Sequence, residues 1–239
     1  MKIKALLAGI LAVRLLNKNR DNHFHPEYSG PNLQIFKLTK NIIFDLGGIF
    51  MNLDFKLTEQ AFIDLGITEF AAMFNQHHSN DLFEQLETGK ISPEIFYEAF
   101  RNETRSQLTD QQIKQAWNAL LLDFPAERLQ WLDTIRQQYK VYLFSNTNLI
   151  HYNAFMEILE KENGENNFNR YFIKAYYSHE LGLRKPYVES FQKILEEQQL
   201  VAEDTLFIDD TYKNIEGAEK AGLQTFHLVA PMTVLDINL

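Results

Sequence analysis

The hydrophobic and polar positions along this chain follow two kinds of pattern, and the first predicts buried strands. Residues 41–50 read NIIFDLGGIF, in which three consecutive apolar residues lead into Asp45 and then, after one leucine, into a pair of glycines. A short continuous apolar run closed by glycines is typical of a strand buried on both faces at the centre of a parallel sheet. Asp45 is therefore predicted at the carboxyl end of such a strand, where open α/β sheets bind ligands. An aspartate that merely opens a turn after the strand is the structural alternative.

The second pattern is helical and occupies residues 56–123. Apolar residues recur there three to four positions apart, and Ser92 followed by Pro93 is a typical helix start, with the serine as N-cap and the proline at the first helical position. This stretch contains no strand pattern. It is therefore predicted to be an all-helical insertion between two strands of the sheet.

From residue 124 onward, strand and helix patterns alternate. The predicted strands are Lys140–Phe144, Phe172–Tyr177, Thr205–Ile208 and Thr225–Val229. Strands separated by helices of about 10 to 15 residues are joined by right-handed crossovers, which makes the sheet mostly parallel. The predicted fold class is therefore α/β, with a parallel-sheet core formed by residues 38–55 and 124–239 and an inserted helical cap formed by residues 56–123.

Composition excludes several classes of function. The 239 residues include no cysteine, so disulfides, thiolate metal sites and cysteine nucleophiles are excluded. The formal charge is −9, which argues against nucleic acid as a partner. Any chemistry therefore falls to carboxylates, histidines, hydroxyls and amines.

The first 37 residues are predicted to be a leader or linker. Their apolar run from Ala5 to Leu16 is interrupted by Arg14 and is too short to span a bilayer, so no membrane partner is expected. The run has the basic start of a signal peptide but no clear cleavage site follows, which favours a cytoplasmic protein and leaves export as the minor alternative. His23 and His25 lie in a turn-rich segment that reads as linker more readily than as a metal site.

Polar residues follow three of the predicted strands at the point where each strand ends. They are Asp45, Ser145 with Asn146, and Asp209 with Asp210, and a loop with Lys185 lies between the second and third groups in sequence. Clustered carboxylates repel one another unless a hard divalent cation such as Mg²⁺ lies among them. A phosphate can then bridge the metal, the hydroxyl and amide donors, and the lysine. Structural alternatives exist: Ser145 or either aspartate as a helix cap, and Lys185 as a solvated loop residue. Arg184 beside it is expected on the surface and is not included among the site residues.

Four segments, FDLGG, FSNTN, GLRKP and FIDDTYKNIEGAEKAG, occur in this order along the chain. Together they resemble the four motifs of the haloacid dehalogenase-like (HAD) superfamily, in its branch with a helical cap after the first motif. The resemblance covers about Leu38 to Val229 and is closest to the α-D-glucose-1-phosphate phosphatase type. It implies a Rossmann-like core and a Mg²⁺-dependent phosphatase that hydrolyses a small phosphorylated metabolite, with a sugar 1-phosphate as the first choice. We expect a monomer or a weak homodimer.

The resemblance also implies roles for the acidic residues. Asp45 matches the nucleophile that attacks phosphorus and becomes an aspartyl-phosphate. Its other oxygen would bind Mg²⁺ together with the carbonyl of Gly47 and the carboxylate of Asp210. Asp209 matches an acid that acts on the metal from further out, through a water.

The remaining motif residues match groups that hold the phosphate. Ser145 and the backbone amide of Asn146 would bind the transferring phosphoryl group. Lys185 would neutralise its charge and keep Asp45 ionised, because a nearby cation lowers the pKa of a carboxyl. Asn214 would orient the loop of the metal site.

Gly47 departs from the family pattern, because most phosphatases of this superfamily have a second aspartate there as general acid and base. Such catalysis is typically worth about 10² to 10⁴ in rate. Either the leaving group departs easily, as from an anomeric sugar phosphate, or the protein binds a phosphometabolite without turnover. Asp54 is a weak alternative for the missing acid. A 2-haloacid dehalogenase is disfavoured, because a metal-free site gains nothing from the Asp209–Asp210 pair.

The cap is expected to choose the substrate, because helical lids close over such sites and exclude water. His77, His78 and Glu84 are the cap residues considered for contact with it. An amphipathic helix exposes such residues by default, so a solvated surface position is the alternative for each.

Overall fold

The structure is a computed structural model that describes residues 39–76 and 78–239. The predicted leader or linker, with His23 and His25, therefore lies outside the described residues, and so does His77. No helix in the described part of the chain combines the length and the apolar character that crossing a membrane requires.

The structure describes seven strands within residues 39–76 and 78–239. They are β1 (Asn41–Phe44), β2 (Phe74–Asn75), β3 (His78–Ser79), β4 (Lys140–Ser145), β5 (Lys174–Tyr177), β6 (Thr205–Asp209) and β7 (Gln224–His227). Five of them, β1 and β4 to β7, lie close to positions that the sequence predicts. These five form one parallel sheet in the order β5-β4-β1-β6-β7. The predicted α/β fold with a parallel sheet is confirmed.

The helices fall into two groups, one between β1 and β4 and the other between the later strands. The first group is α1 (Phe55–Asp64), α2 (Phe70–Met73), α3 (Asp81–Glu87), α4 (Pro93–Thr104) and α5 (Asp110–Asn118). The second is α6 (Ala126–Ile135), α7 (Leu149–Asn163), α8 (Ser178–Leu181), α9 (Val188–Glu197) and α10 (Tyr212–Lys220), with short 3₁₀ turns at Phe168–Tyr171, Ala202–Asp204 and Val234–Asp236.

Strand β1 is the centre of the sheet because its side chains are apolar on both faces. Ile42 and Phe44 pack into the hydrophobic cluster on one face, and Ile43 packs into the cluster on the other. This division follows from the alternation of side chains along a strand. Phe44 pairs with Leu143 of β4 and with Ile208 of β6, so the carboxyl ends of these three strands lie level with one another.

A second hydrophobic cluster comes mostly from the inserted helices, and Ile150 of α7 joins it. It is built from aromatic side chains, with Trp117 against Phe74 and Phe83, and Phe62 stacked on Phe70. Helix α4 begins as predicted, with the Ser92 hydroxyl accepting a hydrogen bond from the Ile95 amide and a proline in the first turn.

One feature of the insertion differs from the all-helical prediction. Strands β2 and β3 form an antiparallel ladder in which Phe74 faces Ser79 and Asn75 faces His78. Each strand has two residues, which is too short for an alternating pattern to appear in the sequence.

Two chain segments connect the insertion to the sheet, and they run side by side. The Asn52 amide donates to the Asp123 carbonyl, and the Leu122 amide donates to the Asn52 carbonyl. Asp54 caps α1, because its carboxylate accepts a hydrogen bond from the Lys56 amide at 2.9 Å. This side chain is therefore engaged in capping, which speaks against Asp54 as the replacement acid.

Candidate active site

A cavity of about 320 Å³ lies beyond the carboxyl ends of the central strands and reaches up to the inserted helices. Most of the predicted site residues line it: Asp45, Gly47, Ser145, Asn146, Lys185, Asp210 and Asn214. They come from four separate parts of the sequence. The level ends of β1, β4 and β6 explain how they meet, because a parallel sheet delivers all its carboxyl ends to one edge.

The Lys185 ammonium is the electrostatic centre of the site. Its Nζ lies 2.7 Å from Asp45 Oδ1 and 2.7 Å from Asp209 Oδ2, and the side chain is only 1% exposed. Burial disfavours the charge on this amine, but the attraction of Asp209 and Asp45 outweighs burial and raises the pKa of Lys185. The structure therefore rejects the alternative of a solvated loop lysine.

Three carboxylates lie close together here, and two of them, Asp45 and Asp209, pair with the Lys185 ammonium. Burial raises the pKa of Asp45 to about 7, and repulsion from Asp209 and Asp210 adds to that effect while Lys185 opposes it. Burial, followed by repulsion from Asp209, also raises the pKa of Asp210 to about 6. The cluster therefore carries more negative charge than the protein itself neutralises.

The same three carboxylates fit a divalent cation. One oxygen from each of Asp45, Asp209 and Asp210 lies within 4.8 Å of the others. Oxygen ligands with excess negative charge are what Mg²⁺ prefers in proteins. The donor set of this cavity is therefore suited to magnesium.

Asp209 is the most deeply engaged of the three acids. It is fully buried and accepts hydrogen bonds from Lys185 Nζ at 2.7 Å, from the Thr211 amide at 2.7 Å, and from Asn214 Nδ2 at 3.0 and 3.1 Å. These bonds hold Lys185 and the start of α10 in fixed positions. Asn214 contacts Asp209 rather than the neighbouring Asp210.

The residue after β4 is hydrogen-bonded to the loop of residues 182–187, which carries Arg184 and Lys185 and is called the lysine loop below. Asn146 Nδ2 donates to the Lys185 carbonyl at 2.9 Å, and the Lys185 amide donates to Asn146 Oδ1 at 2.9 Å. Ser145 is buried with its hydroxyl 3.5 Å from the Asn146 carbonyl, a long contact that leaves the hydroxyl free to turn to another acceptor. The bond pair through the Asn146 side chain was not predicted, because the sequence suggested only the backbone amide of this residue.

A side chain at either of the two glycines after Asp45 would come very close to a neighbouring residue. Gly48 has a φ of 70°, and a Cβ there would lie 2.5 Å from Asp210 Oδ2. A Cβ on Gly47 would lie 2.5 Å from Leu53 Cδ1. A side chain at position 47 would therefore require the flexible, partly exposed Leu53 side chain to shift.

Arg184 is where the sequence interpretation was wrong. It was expected on the surface, but its side chain is 17% exposed, lines the cavity, and bonds to the insertion. Its Nη1 donates to Ser79 Oγ at 2.7 Å, and its Nη2 lies 3.1 Å from Glu87 Oε2. Ser79 is 105 positions away in sequence, so no local pattern indicates this contact.

The other residues of the insertion considered for substrate contact have different surroundings. His78 lines the cavity, whereas Glu84 accepts a hydrogen bond from the Tyr187 hydroxyl at 3.3 Å. His151 of α7 also lines the cavity and was not predicted. Its Nε2 lies 3.0 Å from the Trp117 carbonyl, so we assign the ring proton to Nε2, and burial lowers its pKa to about 4. Its Nδ1 lies 3.2 Å from Asn148 Nδ2, so both ring nitrogens already have hydrogen-bond partners, and the low pKa makes the ring a weak base.

Comparison with known proteins agrees with this geometry. Residues 39–222 match the family described as haloacid dehalogenase-like hydrolase. The D-ribitol-5-phosphate phosphatase of Bacteroides thetaiotaomicron is 32% identical over 189 residues, which are 79% of this chain and 91% of that protein.

Solved structures are similar over the same part of the chain. A HAD family enzyme from Bacteroides thetaiotaomicron, an aspartate-to-alanine variant in complex with magnesium and inorganic phosphate, has a TM-score of 0.76 and 32% identity, and the match covers 81% of this chain and 96% of that one. A HAD-like hydrolase from Porphyromonas gingivalis has a TM-score of 0.74 and 28% identity, and that match covers 82% of this chain and 94% of the other. On its sequence, fold and site, the chain belongs to the haloacid dehalogenase-like hydrolase family.

Proposed function

We propose that the protein is a Mg²⁺-dependent phosphatase that hydrolyses a small phosphorylated sugar or sugar alcohol through an aspartyl-phosphate on Asp45. The observation that carries this proposal is the meeting of Asp45, Lys185 and Asp210 in one cavity at the sheet edge. The D-ribitol-5-phosphate phosphatase activity of the relative supports a substrate of this class.

The roles proposed for the residues follow from their contacts. An oxygen of Asp45 attacks phosphorus, the bond from phosphorus to the leaving oxygen breaks, and water then attacks the aspartyl-phosphate to release inorganic phosphate. Lys185 holds Asp45 in place and neutralises phosphoryl oxygens, while Ser145 and the Asn146 amide donate to them. Asp209 and Asn214 keep Lys185 and the loop before α10 in position.

Magnesium is the proposed cofactor. Asp45, the Gly47 carbonyl and Asp210 would hold it, with Asp209 further out, and when bound it supplies positive charge that stabilises the transferring phosphoryl group. Complexes of the structural relative with magnesium and phosphate support this assignment.

The cap is proposed to comprise residues 56–123, above a core of residues 38–55 and 124–239. The separate aromatic cluster of the inserted helices supports this division. We keep the predictions of a cytoplasmic location and of a monomer or weak homodimer as parts of the same proposal.

The decisive experiment is phosphate release from a panel that includes α-D-glucose 1-phosphate and D-ribitol 5-phosphate, with and without Mg²⁺. Asp45→Asn should abolish release, whereas Asp54→Asn is the matched control, because that carboxylate caps α1 and asparagine caps helices equally well. A wild-type protein that releases no more phosphate than Asp45→Asn across the panel contradicts the proposal.

Gly47 favours one second candidate, a protein that binds a phosphometabolite without turnover. This function predicts that phosphate analogues bind and stabilise the protein while the panel shows no release. The two substrates named above also differ in how easily their leaving groups depart. A preference for the anomeric phosphate supports the idea that an easy leaving group compensates for the missing acid.

A further inference from the structure

Arg184 connects the core to one short stretch of the cap. Its three polar contacts from the two Nη atoms are to Ser79 at 2.7 Å, Glu87 at 3.1 Å and Glu84 at 3.5 Å. All three partners lie within nine consecutive residues, on β3 and α3. The arginine itself lies in the loop that carries Lys185.

Glu87 makes this contact more than a surface ion pair. Its side chain is 8% exposed, and burial raises the pKa of its carboxyl while Arg184 works in the opposite direction. A buried carboxylate needs a paired cation to stay ionised. The ionised carboxylate of Glu87, in the cap, therefore depends on the guanidinium of Arg184, in a loop of the core.

Two neighbouring contacts show that the cap and the core touch closely at this edge. The Tyr187 hydroxyl, three residues after Arg184, donates to Glu84. A Cβ on Gly89 would lie 2.0 Å from the His179 carbonyl oxygen, so the end of α3 approaches the backbone of α8 as closely as only glycine permits. Arg184 is thus part of a packed joint and not an isolated bridge.

The lysine loop has a second attachment on its other side. The Asn146 side chain bonds to the backbone of Lys185 in both directions, while the Lys185 ammonium reaches Asp45. The lysine loop is therefore held on one side by Asn146, directly after β4, and on the other side by the contacts of Arg184 with the cap. A movement of the cap at this joint would pull on the residue next to Lys185.

We propose that Arg184 is a positioning residue for Lys185, which joins the phosphate-binding lysine loop to the cap through Glu87. The contact between Arg184 and Glu87 then also fixes the position of the Lys185 ammonium. This inference rests on the proposed function only for the role of Lys185 in binding phosphate.

The test measures binding of inorganic phosphate in the presence of Mg²⁺, which needs no turnover. Arg184→Met should weaken phosphate binding about tenfold, in the range typical for residues that support a ligand-binding group. Arg184→Lys, which keeps the charge, and Glu87→Gln, which keeps the shape, should have smaller effects in the same direction. Hydrogen exchange of the α3 amides should rise in Arg184→Met.

Two comparisons separate positioning from a merely structural role. Arg101→Met is the matched control, because Arg101 pairs with Asp110 inside the cap, and its removal should leave phosphate affinity unchanged. In a Lys185→Met background, Arg184→Met should weaken phosphate binding no further. A folded Arg184→Met protein with wild-type phosphate affinity overturns the inference, as does a full additional loss in the Lys185→Met background.

This measurement also separates the inference from the proposed function. A wild-type protein that binds phosphate but hydrolyses no ester in the panel contradicts the phosphatase assignment. The comparison between Arg184→Met and Arg101→Met would then still decide the role of Arg184.

Discussion

Ionised Asp45 should destabilise the metal-free protein at neutral and alkaline pH. In the folded protein its pKa is raised from 3.8 to about 7, chiefly by burial. The folded state therefore holds the proton more tightly than the unfolded chain does. Between these two pH values the stability contributed by the protonated carboxyl is lost as the pH rises, and above about pH 7 the loss is complete.

The size of the effect follows from the same two values. A pH unit corresponds to about 1.4 kcal/mol, so ionising Asp45 costs the fold up to about 4 kcal/mol at pH 8. The side chain is 12% exposed, so solvent screening reduces this figure only slightly. Because asparagine resembles the protonated aspartate, Asp45→Asn should gain about 2 to 4 kcal/mol of unfolding free energy at pH 8 in a chelator.

The assay is urea unfolding of wild type and Asp45→Asn with EDTA between pH 5 and pH 8. The difference in unfolding free energy should be about 1.6 kcal/mol at pH 5, should grow as the pH rises, and should level off above about pH 7. Saturating Mg²⁺ should stabilise wild type more than the variant, because only wild type offers the carboxylate ligand. Asp54→Asn serves as the control. The reasoning is refuted if wild type is at least as stable as Asp45→Asn at pH 8 in EDTA, or if their difference does not change with pH.

Three further predictions follow from the contacts in the site. Lys185→Met leaves two buried carboxylates without their cation, so it should lower the unfolding free energy at pH 8 by about 3 to 5 kcal/mol. It should also abolish phosphate release. Urea unfolding and the phosphate assay measure the two effects. Gly47→Asp should lower stability by about 1 kcal/mol because the Leu53 side chain must shift, and it should raise turnover of a primary-alcohol phosphate by up to about 10², in the same two assays. Gly48→Ala places a Cβ 2.5 Å from an Asp210 oxygen at a φ of 70°, so it should weaken Mg²⁺ binding, as measured by titration calorimetry. Unchanged Mg²⁺ affinity would contradict this packing argument.

Much of the fold was predictable because the relevant signals are local. The apolar run that ends at Asp45 predicts a buried central strand, and the structure confirms a strand with no exposed residue among Ile42, Ile43 and Phe44. Ser92 and Pro93 mark the start of α4 for the same reason, since capping involves only residues within one turn. The meeting of strand-end residues was predictable too, because a parallel sheet brings its carboxyl ends together.

The errors concern contacts between distant parts of the chain. Arg184 and Ser79 become neighbours only when the inserted helices pack on the loop that carries Lys185. Likewise, the low pKa of His151 results from burial, which outweighs the opposite effect of the hydrogen bond to the Trp117 carbonyl of another helix.

The sequence by itself determined the alternation of strands and helices, the strand ends that carry the carboxylates, and the resemblance to the family, because each depends on residue types at short spacings. Only the tertiary structure decided how Lys185 is shared between Asp45 and Asp209, which arginine reaches the cap, and what occupies the space beside Gly47. These features depend on side-chain directions and burial at the joint between cap and core, and no short stretch of sequence encodes them.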